Sequence, residues 1–178
     1  VVDGREISMY DVPKKQWTGP LPPSYKTASL AISPDGKTLY RIGDSIEVWD
    51  LENNHLRKKY VDGFISDGAL SKDGKTLIYG QGGFRSHLYA LDLKTYQKRL
   101  IATLSNTDLQ YIDYNQDAGL IIMMYLDRTF RNGYWRVRTV DAKTGRSNGW
   151  IGNDQTTGRV SISADGKLFA FGTQDNAV

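Results

Sequence analysis

Arginine and aromatic side chains collected on loops are the groups in this chain whose types suit recognition chemistry. Arg85, Arg128, Phe130 and Arg131 lie on loops that depart from otherwise economical turns, and Arg159 is grouped with them. Arginine holds carboxylates or phosphates through paired hydrogen bonds. Arginine and the aromatics are also the side chains favoured at binding hot spots. Together these five residues form a candidate site for a protein or peptide partner of acidic character. The competing reading is a solvated loop whose Phe130 tucks back onto the strands below.

Catalytic chemistry finds no comparable gathering. The two histidines, His55 and His87, each lack a metal-ligating partner two to four residues further on, and each reads as a lone surface histidine. The absence of cysteine removes disulfides, thiolate zinc sites and cysteine nucleophiles together. There is no Gly-x-Ser-x-Gly elbow, phosphate loop or zinc-binding His-Glu motif. Gly80-Gln81-Gly82-Gly83 joins two strands, so it lacks the helix N-terminus that would attract phosphate, and a flexible turn is expected there. No metal or cofactor is implied. Trp17-Thr18-Gly19-Pro20-Leu21-Pro22-Pro23 contains a Pro-x-x-Pro pattern that could dock on an aromatic groove. Its position favours a stiff crossover between structural units.

A repeat must position all of these residues. Ser33-Pro34-Asp35-Gly36-Lys37 returns as Ser71-Lys72-Asp73-Gly74-Lys75 and as Ser163-Ala164-Asp165-Gly166-Lys167, with a looser copy at Asn115-Gln116-Asp117-Ala118-Gly119. The Asp of this motif advances by 38, 44 and 48 residues. A second marker, an apolar residue followed by Asp11, Asp50, Asp92 or Asp141, advances by 39, 42 and 49. Two markers in one phase at periods of about 40–45 residues predict propeller blades. Short runs with period-two alternation precede each motif, and the Asp-Gly pair suits a tight hairpin. The runs that follow, such as Thr76-Leu77-Ile78-Tyr79 and Leu120 to Tyr125, are apolar on both faces, as expected for strands covered on both sides. No sustained helical period appears. The fold class is therefore all-β, a β-propeller of four-stranded antiparallel blades with about four blade equivalents.

Ile46-Glu47-Val48-Trp49-Asp50-Leu51 resembles the closing strand of a WD repeat, and Ser71 to Tyr79 with Leu88-Tyr89-Ala90-Leu91-Asp92-Leu93 resembles the TolB-like bacterial propeller repeat. The resemblance covers nearly the whole chain. It implies the fold and is almost silent on function, because propellers host scaffolds, receptors and enzymes alike. The Gly-His pair that opens many WD repeats is missing, so that family's Asp–His network does not carry over.

The phase of the repeat places two strands first, three complete blades next and two strands last. Residues 1–178 are expected to form a single propeller domain or partial propeller. Either the end pairs close a four-bladed ring, or the chain is part of a larger propeller, which is the reading adopted. The net charge of +3 is too small a bias to argue for nucleic acid. No apolar run approaches the roughly 20 residues of a membrane-spanning helix. Cytosolic and periplasmic settings both fit.

In a propeller, loops between second and third strands open on the same face as the connections between blades. That face is short at Gly43-Asp44-Ser45, longer at Gln81 to Ser86, and longest at Leu126 to Tyr134, which carries Arg128, Phe130 and Arg131. A non-catalytic interaction module is the expected function. The alternative is the propeller portion of an enzyme, either a quinone-cofactor dehydrogenase or the gating propeller of a serine peptidase. Trp49 is expected between blades, Trp135 between blades or shielding the long loop, and Trp17 and Trp150 at edges. Arg57-Lys58-Lys59 is expected to form a charged outer edge.

Overall fold

The computed structural model describes residues 7–22, 27–129, 133–151 and 156–173. Two strands come first, β1 (Ile7–Asp11) and β2 (Gln16–Leu21). Three meanders follow. The first runs β3 (Thr27–Ile32), β4 (Thr38–Gly43), β5 (Ile46–Asp50) and β6 (His55–Tyr60). The second runs β7 (Ile65–Leu70), β8 (Thr76–Gln81), β9 (Arg85–Asp92) and β10 (Lys98–Ser105). The third runs β11 (Thr107–Asn115), β12 (Leu120–Asp127), β13 (Tyr134–Asp141) and β14 (Ser147–Ile151). Last come β15 (Thr156–Ile162) and β16 (Phe169–Thr173). Each meander is one antiparallel sheet in sequential order, and β1–β2 and β15–β16 are separate two-stranded sheets. The described residues contain no helix. Closure of a four-bladed ring by pairing of the two end sheets is not seen among the described residues.

The repeated turn explains itself atom by atom. Ser71 Oγ donates to Asp73 Oδ1 at 2.7 Å, the Lys75 amide donates to the same oxygen at 3.0 Å, and the Thr76 amide donates to Ser71 Oγ at 2.9 Å. The same three bonds recur at Ser33/Asp35 and at Ser163/Asp165. The glycine between them has φ near +70°, a left-handed conformation that side chains resist. The looser copy solves the turn differently. Asn115 Oδ1 accepts the Ala118 amide at 2.8 Å, and Asn115 Nδ2 donates to Ser163 O and Ala164 O in the next unit.

The second marker also has a physical role. Asp92 Oδ1 accepts the amides of Lys94 and Thr95, and Asp141 Oδ1 accepts those of Lys143 and Thr144. Asp50 does the same for Glu52 and Asn53. The marker Asp thus satisfies the backbone donors of the turn that joins third and fourth strands.

Successive blades bury each other. Ile121, Met123 and Tyr125, with Leu109 of their own blade, enter a cluster with Ile78 and Leu88 of the preceding blade. Their neighbours Ile122 and Met124 point the other way, to Val160 of the following one. This is strand alternation with both faces apolar. The fourth strands β6 and β14 are exposed along almost their whole length, whereas β10 buries Ile101 and Leu104. On β6, Arg57 and Lys59 pair with Asp50 and Glu47, so part of the charged edge is engaged with its own blade.

Trp49 is buried between β1–β2 and the first meander with Ile7, Leu21 and Leu39. Trp135 packs between blades, and Trp17 and Trp150 are exposed. Two local expectations are corrected. Gly80 and Gln81 belong to strand β8, so only Gly82 and Gly83 form the turn. Trp17 to Leu21 is part of strand β2, so the crossover reading fails there; Pro20 sits on an outer strand, where its missing amide costs no ladder bond.

Candidate interaction face

Four connections meet on one face. They are residues 61–64 between β6 and β7, 82–84 between β8 and β9, the turn at Asn106 between β10 and β11, and the β12–β13 loop. Backbone bonds tie the last three together. The Asn106 amide donates to Phe84 O at 2.9 Å, and the Arg128 amide donates to Asn106 O at 2.7 Å. Asn106 has φ 55°, a left-handed geometry that asparagine tolerates better than most residues. Beneath this turn the buried Ser86 Oγ donates to Thr107 O at 2.9 Å and accepts the Leu109 amide at 3.1 Å.

Two exposed aromatics stand on this face, Phe84 on the tied connections and Phe64 on the neighbouring 61–64 connection. Phe84 is 83% exposed and Phe64 is 61% exposed. The Gly82 backbone lies between Phe64 and Asp108: a β-carbon placed there would sit 3.6 Å from Phe64 Cε1 and 3.2 Å from Asp108 Oδ1. Arg128 Nη2 donates to Asp108 Oδ2 at 2.8 Å. Arg85 is exposed and pairs with none of the described residues. Around the same loop Arg136 stacks over Trp150, 4.4 Å from the ring centroid, and lies 3.4 Å from Asp127.

The residues singled out from sequence are therefore distributed as follows. Arg85 and Arg128 share this face, Arg85 as an open cation and Arg128 already compensated by Asp108. Phe130 and Arg131 lie outside the described residues. Arg159 is on β15, the innermost strand of its sheet, with its guanidinium 5.3 Å from the Tyr111 ring centroid. It belongs to the inner strands and not to the loops. Phe64 was not identified from sequence, because the connection that carries it has no repeat marker.

The inner strands hold a second polar group of residues. Asp67 on β7 is 3% exposed, and its Oδ2 accepts the Ile112 amide of β11 at 2.8 Å. Ser29 on β3 accepts the Gly68 amide at 3.1 Å, and Asp113 on β11 accepts the Ile162 amide at 2.8 Å. Each reaches from one blade to the free edge of the next. Burial pushes the Asp67 carboxyl above its ordinary value; the Ile112 and Gly68 amides, Ser29 and the Arg159 charge pull the other way without cancelling it. Among the described residues no group of three His, Cys, Asp or Glu could hold a metal ion. No helix of the described residues is long and apolar enough to cross a membrane.

Sheets of four antiparallel strands packed face to face around inner strands make this a β-propeller, and comparison with solved structures agrees. The chain superposes on a chain of Kuenenia stuttgartiensis hydrazine synthase with a TM-score of 0.77, at 20% identity, over 98% of this chain and 52% of that one. It superposes on the WD40 repeats of RRP9 with a TM-score of 0.60, at 14% identity, over 76% of this chain and 41% of that one. The chain thus spans about half the length, or less, of these structures. At such identities the likeness concerns the fold. No protein-family model and no curated protein matches the sequence.

Proposed function

We propose that this β-propeller is a non-catalytic interaction module, with residues 1–178 acting as one propeller domain or part of one. It binds a protein or peptide segment of acidic character through the loop face. Phe64 and Phe84 supply apolar contact and Arg85 supplies the unpaired charge. Arg128, with Phe130 and Arg131 on the same loop, extends that surface. The observation that carries this reading is the pair of largely exposed phenylalanines on one face, Phe84 held on connections tied by backbone bonds. Exposed aromatics beside arginine are what hot spots are made of, and a platform fixed in advance loses little entropy on binding.

The quinone-cofactor form of the enzyme alternative asks for Arg, Asp and Trp converging at the channel mouth, whereas the serine-peptidase form asks for a catalytic domain outside these residues. Arg159 and Asp67 do share the inner strands, but Trp49 and Trp135 are committed to packing between blades. The interaction module accordingly has the stronger support. A displayed library of random peptides, selected on the immobilised protein, tests it. Enrichment of acidic sequences, whose affinity for a Phe84→Ala/Arg85→Ala variant falls at least tenfold, is the expected result. Enrichment indifferent to both residues overturns it.

A further inference from the structure

The second and third meanders leave a cleft between them, at the end of the blades opposite the loop face. It measures about 240 Å³, and its polar lining is Thr76, Arg99, Tyr114 and Lys143. One row across the sheet positions the arginine. Ile78 on β8 pairs with Ala90 on β9, and Ala90 pairs with Arg99 on β10. Ile78 and Ala90 pack into the cluster shared with the third meander, so Arg99 lies on that same side. Its Nη2 donates to Ala142 O, in the turn after β13, at 2.9 Å. That single bond anchors the guanidinium across the cleft and leaves its other N–H groups for a ligand.

The corresponding place between the first and second meanders is packed by side chains. Tyr40 stands where Ile78 does, seven residues after the turn motif begins, and Leu70 stands where Tyr114 does, immediately before the motif. Tyr40 is buried in one cluster with Leu70 and Leu93. Arg57 follows Asp50 by seven residues, as Arg99 follows Asp92, and it is held by the Asp50 carboxylate. Between the second and third meanders the middle strand has lost its ring, the inner strand has gained a hydroxyl, and the arginine has no carboxylate. Burial pushes the Tyr114 hydroxyl above its ordinary value; Asp73 adds to that push and the Arg99 charge opposes it. The hydroxyl is therefore a proton donor at neutral pH, and it shares a space with Arg99.

Arg99 and Lys143 form no ion pair with a described residue, and the Thr76 and Tyr114 hydroxyls form no hydrogen bond with one. The acids of the surrounding turns are engaged with their own backbones. Asp73 accepts the Lys75 amide, Asp92 those of Lys94 and Thr95, and Asp141 those of Lys143 and Thr144. Asp141 also feels the Lys143 charge. Two cations and two hydroxyls around one small cleft favour an anion, and donors from several directions suit a tetrahedral one. We propose that this cleft binds a phosphate group, as the free ion or carried on a small ester. Arg99 offers paired N–H donors to two of its oxygens. Tyr114 and Thr76 donate to the others, and Lys143 supplies a point charge from its exposed turn. The site lies at the other end of the strands from Phe64 and Phe84, so it stands or falls independently of the peptide-binding reading.

Equilibrium dialysis of the protein against radiolabelled inorganic phosphate and, separately, radiolabelled glycerol phosphate tests this. Retention of at least one is expected, and the more tightly held of the two tells the free ion from the ester. Arg99→Gln is expected to weaken retention about tenfold or more, because the paired charge-assisted bonds are lost. Tyr114→Phe keeps the ring and is expected to weaken it about threefold. Arg57→Gln, at the corresponding position of the first meander, is expected to leave it unchanged. Should Arg99→Gln fail to fold by circular dichroism, Lys143→Gln on its exposed turn takes its place and is expected to weaken retention about threefold. Retention of neither probe overturns the proposal. Retention that Arg99→Gln and Tyr114→Phe leave unchanged, or that Arg57→Gln abolishes, overturns it as well, by placing the anion elsewhere.

Discussion

Asp67 on one inner strand accepts the Ile112 amide of the next at 2.8 Å, with its carboxylate almost wholly out of water. An inner strand has no hydrogen-bonding neighbour on its axial side, so its edge donors need partners from elsewhere. Ser29, Asp67 and Asp113 supply them, each from the blade before. The cost is a buried acid whose charged form is disfavoured.

That cost has a definite sign in pH. A carboxyl whose folded-state value is raised contributes stability that is complete below its unfolded value and is lost as pH rises through the folded value. Asp67→Asn keeps an acceptor for Ile112 and cannot ionise. Relative to wild type, its urea midpoint is expected to improve as pH rises above about 4, and the difference then levels off. Asp67→Ala leaves the Ile112 amide without its partner and is expected to cost about 1–3 kcal/mol. A pH-independent difference between wild type and Asp67→Asn would refute the assignment.

Asp73 has the opposite sign. Ser71 Oγ and the Lys75 amide, with a further contribution from Gln116, hold its carboxyl down at about 2. Its contribution is present above the ordinary carboxylate value and is lost as pH falls toward the folded one. Asp73→Asn is expected to flatten the acid limb of the stability curve between about pH 4 and 2, measured by thermal unfolding. Ser71→Ala, which removes the first of those bonds, is expected to move the limb in the same direction.

Gly80 is a packing residue. A β-carbon there would overlap Leu109 Cδ2 and press on Ile112 Cδ1, both on the inner strand of the next blade. Gly80→Ala is therefore expected to destabilise by about 1–3 kcal/mol through overpacking. A compensating Leu109→Ala in the same chain makes room, so the double variant is expected to be more stable than the sum of the two single losses. Additive losses in denaturant titrations would show that the contact is relaxed in solution.

The regular elements of this fold were legible because two markers repeat in phase and apolar runs alternate with turn residues. What escaped was set by contacts across blades. Asp67 looks like an ordinary polar residue in Ser66-Asp67-Gly68, and its partner Ile112 is 45 residues away. Arg128 reads as a recognition cation on its loop, yet Asp108 of β11 already pairs with it. Arg159 was grouped with loop residues, although it stacks on Tyr111 within the inner layer. Gly80 sat in a glycine-rich run that suggested a flexible turn, while the reason for the glycine is the side chain of Leu109.

The loop face yields the prediction closest to function. Phe84 and Arg85 are exposed and tied to the fold mainly through backbone, by the bond from the Asn106 amide to Phe84 O. Their side chains can therefore be removed with little effect on folding, since surface substitutions away from such features usually fall within about 0.5 kcal/mol. Binding is different: truncating a hot-spot aromatic costs about 2 kcal/mol or more. Phe84→Ala is thus expected to weaken a selected acidic peptide by roughly 30-fold in calorimetry, from that cost at about 1.4 kcal/mol per tenfold. Its unfolding midpoint is expected to stay where it was. Arg128→Ala with Arg131→Ala is expected to weaken the same peptide, the Arg128 part being the smaller because Asp108 already compensates that charge. Raising salt should reduce the arginine contribution and spare that of Phe84, because screening acts on charge and not on apolar contact. Equal salt sensitivity of both variants would mean that the peptide is held elsewhere on the propeller.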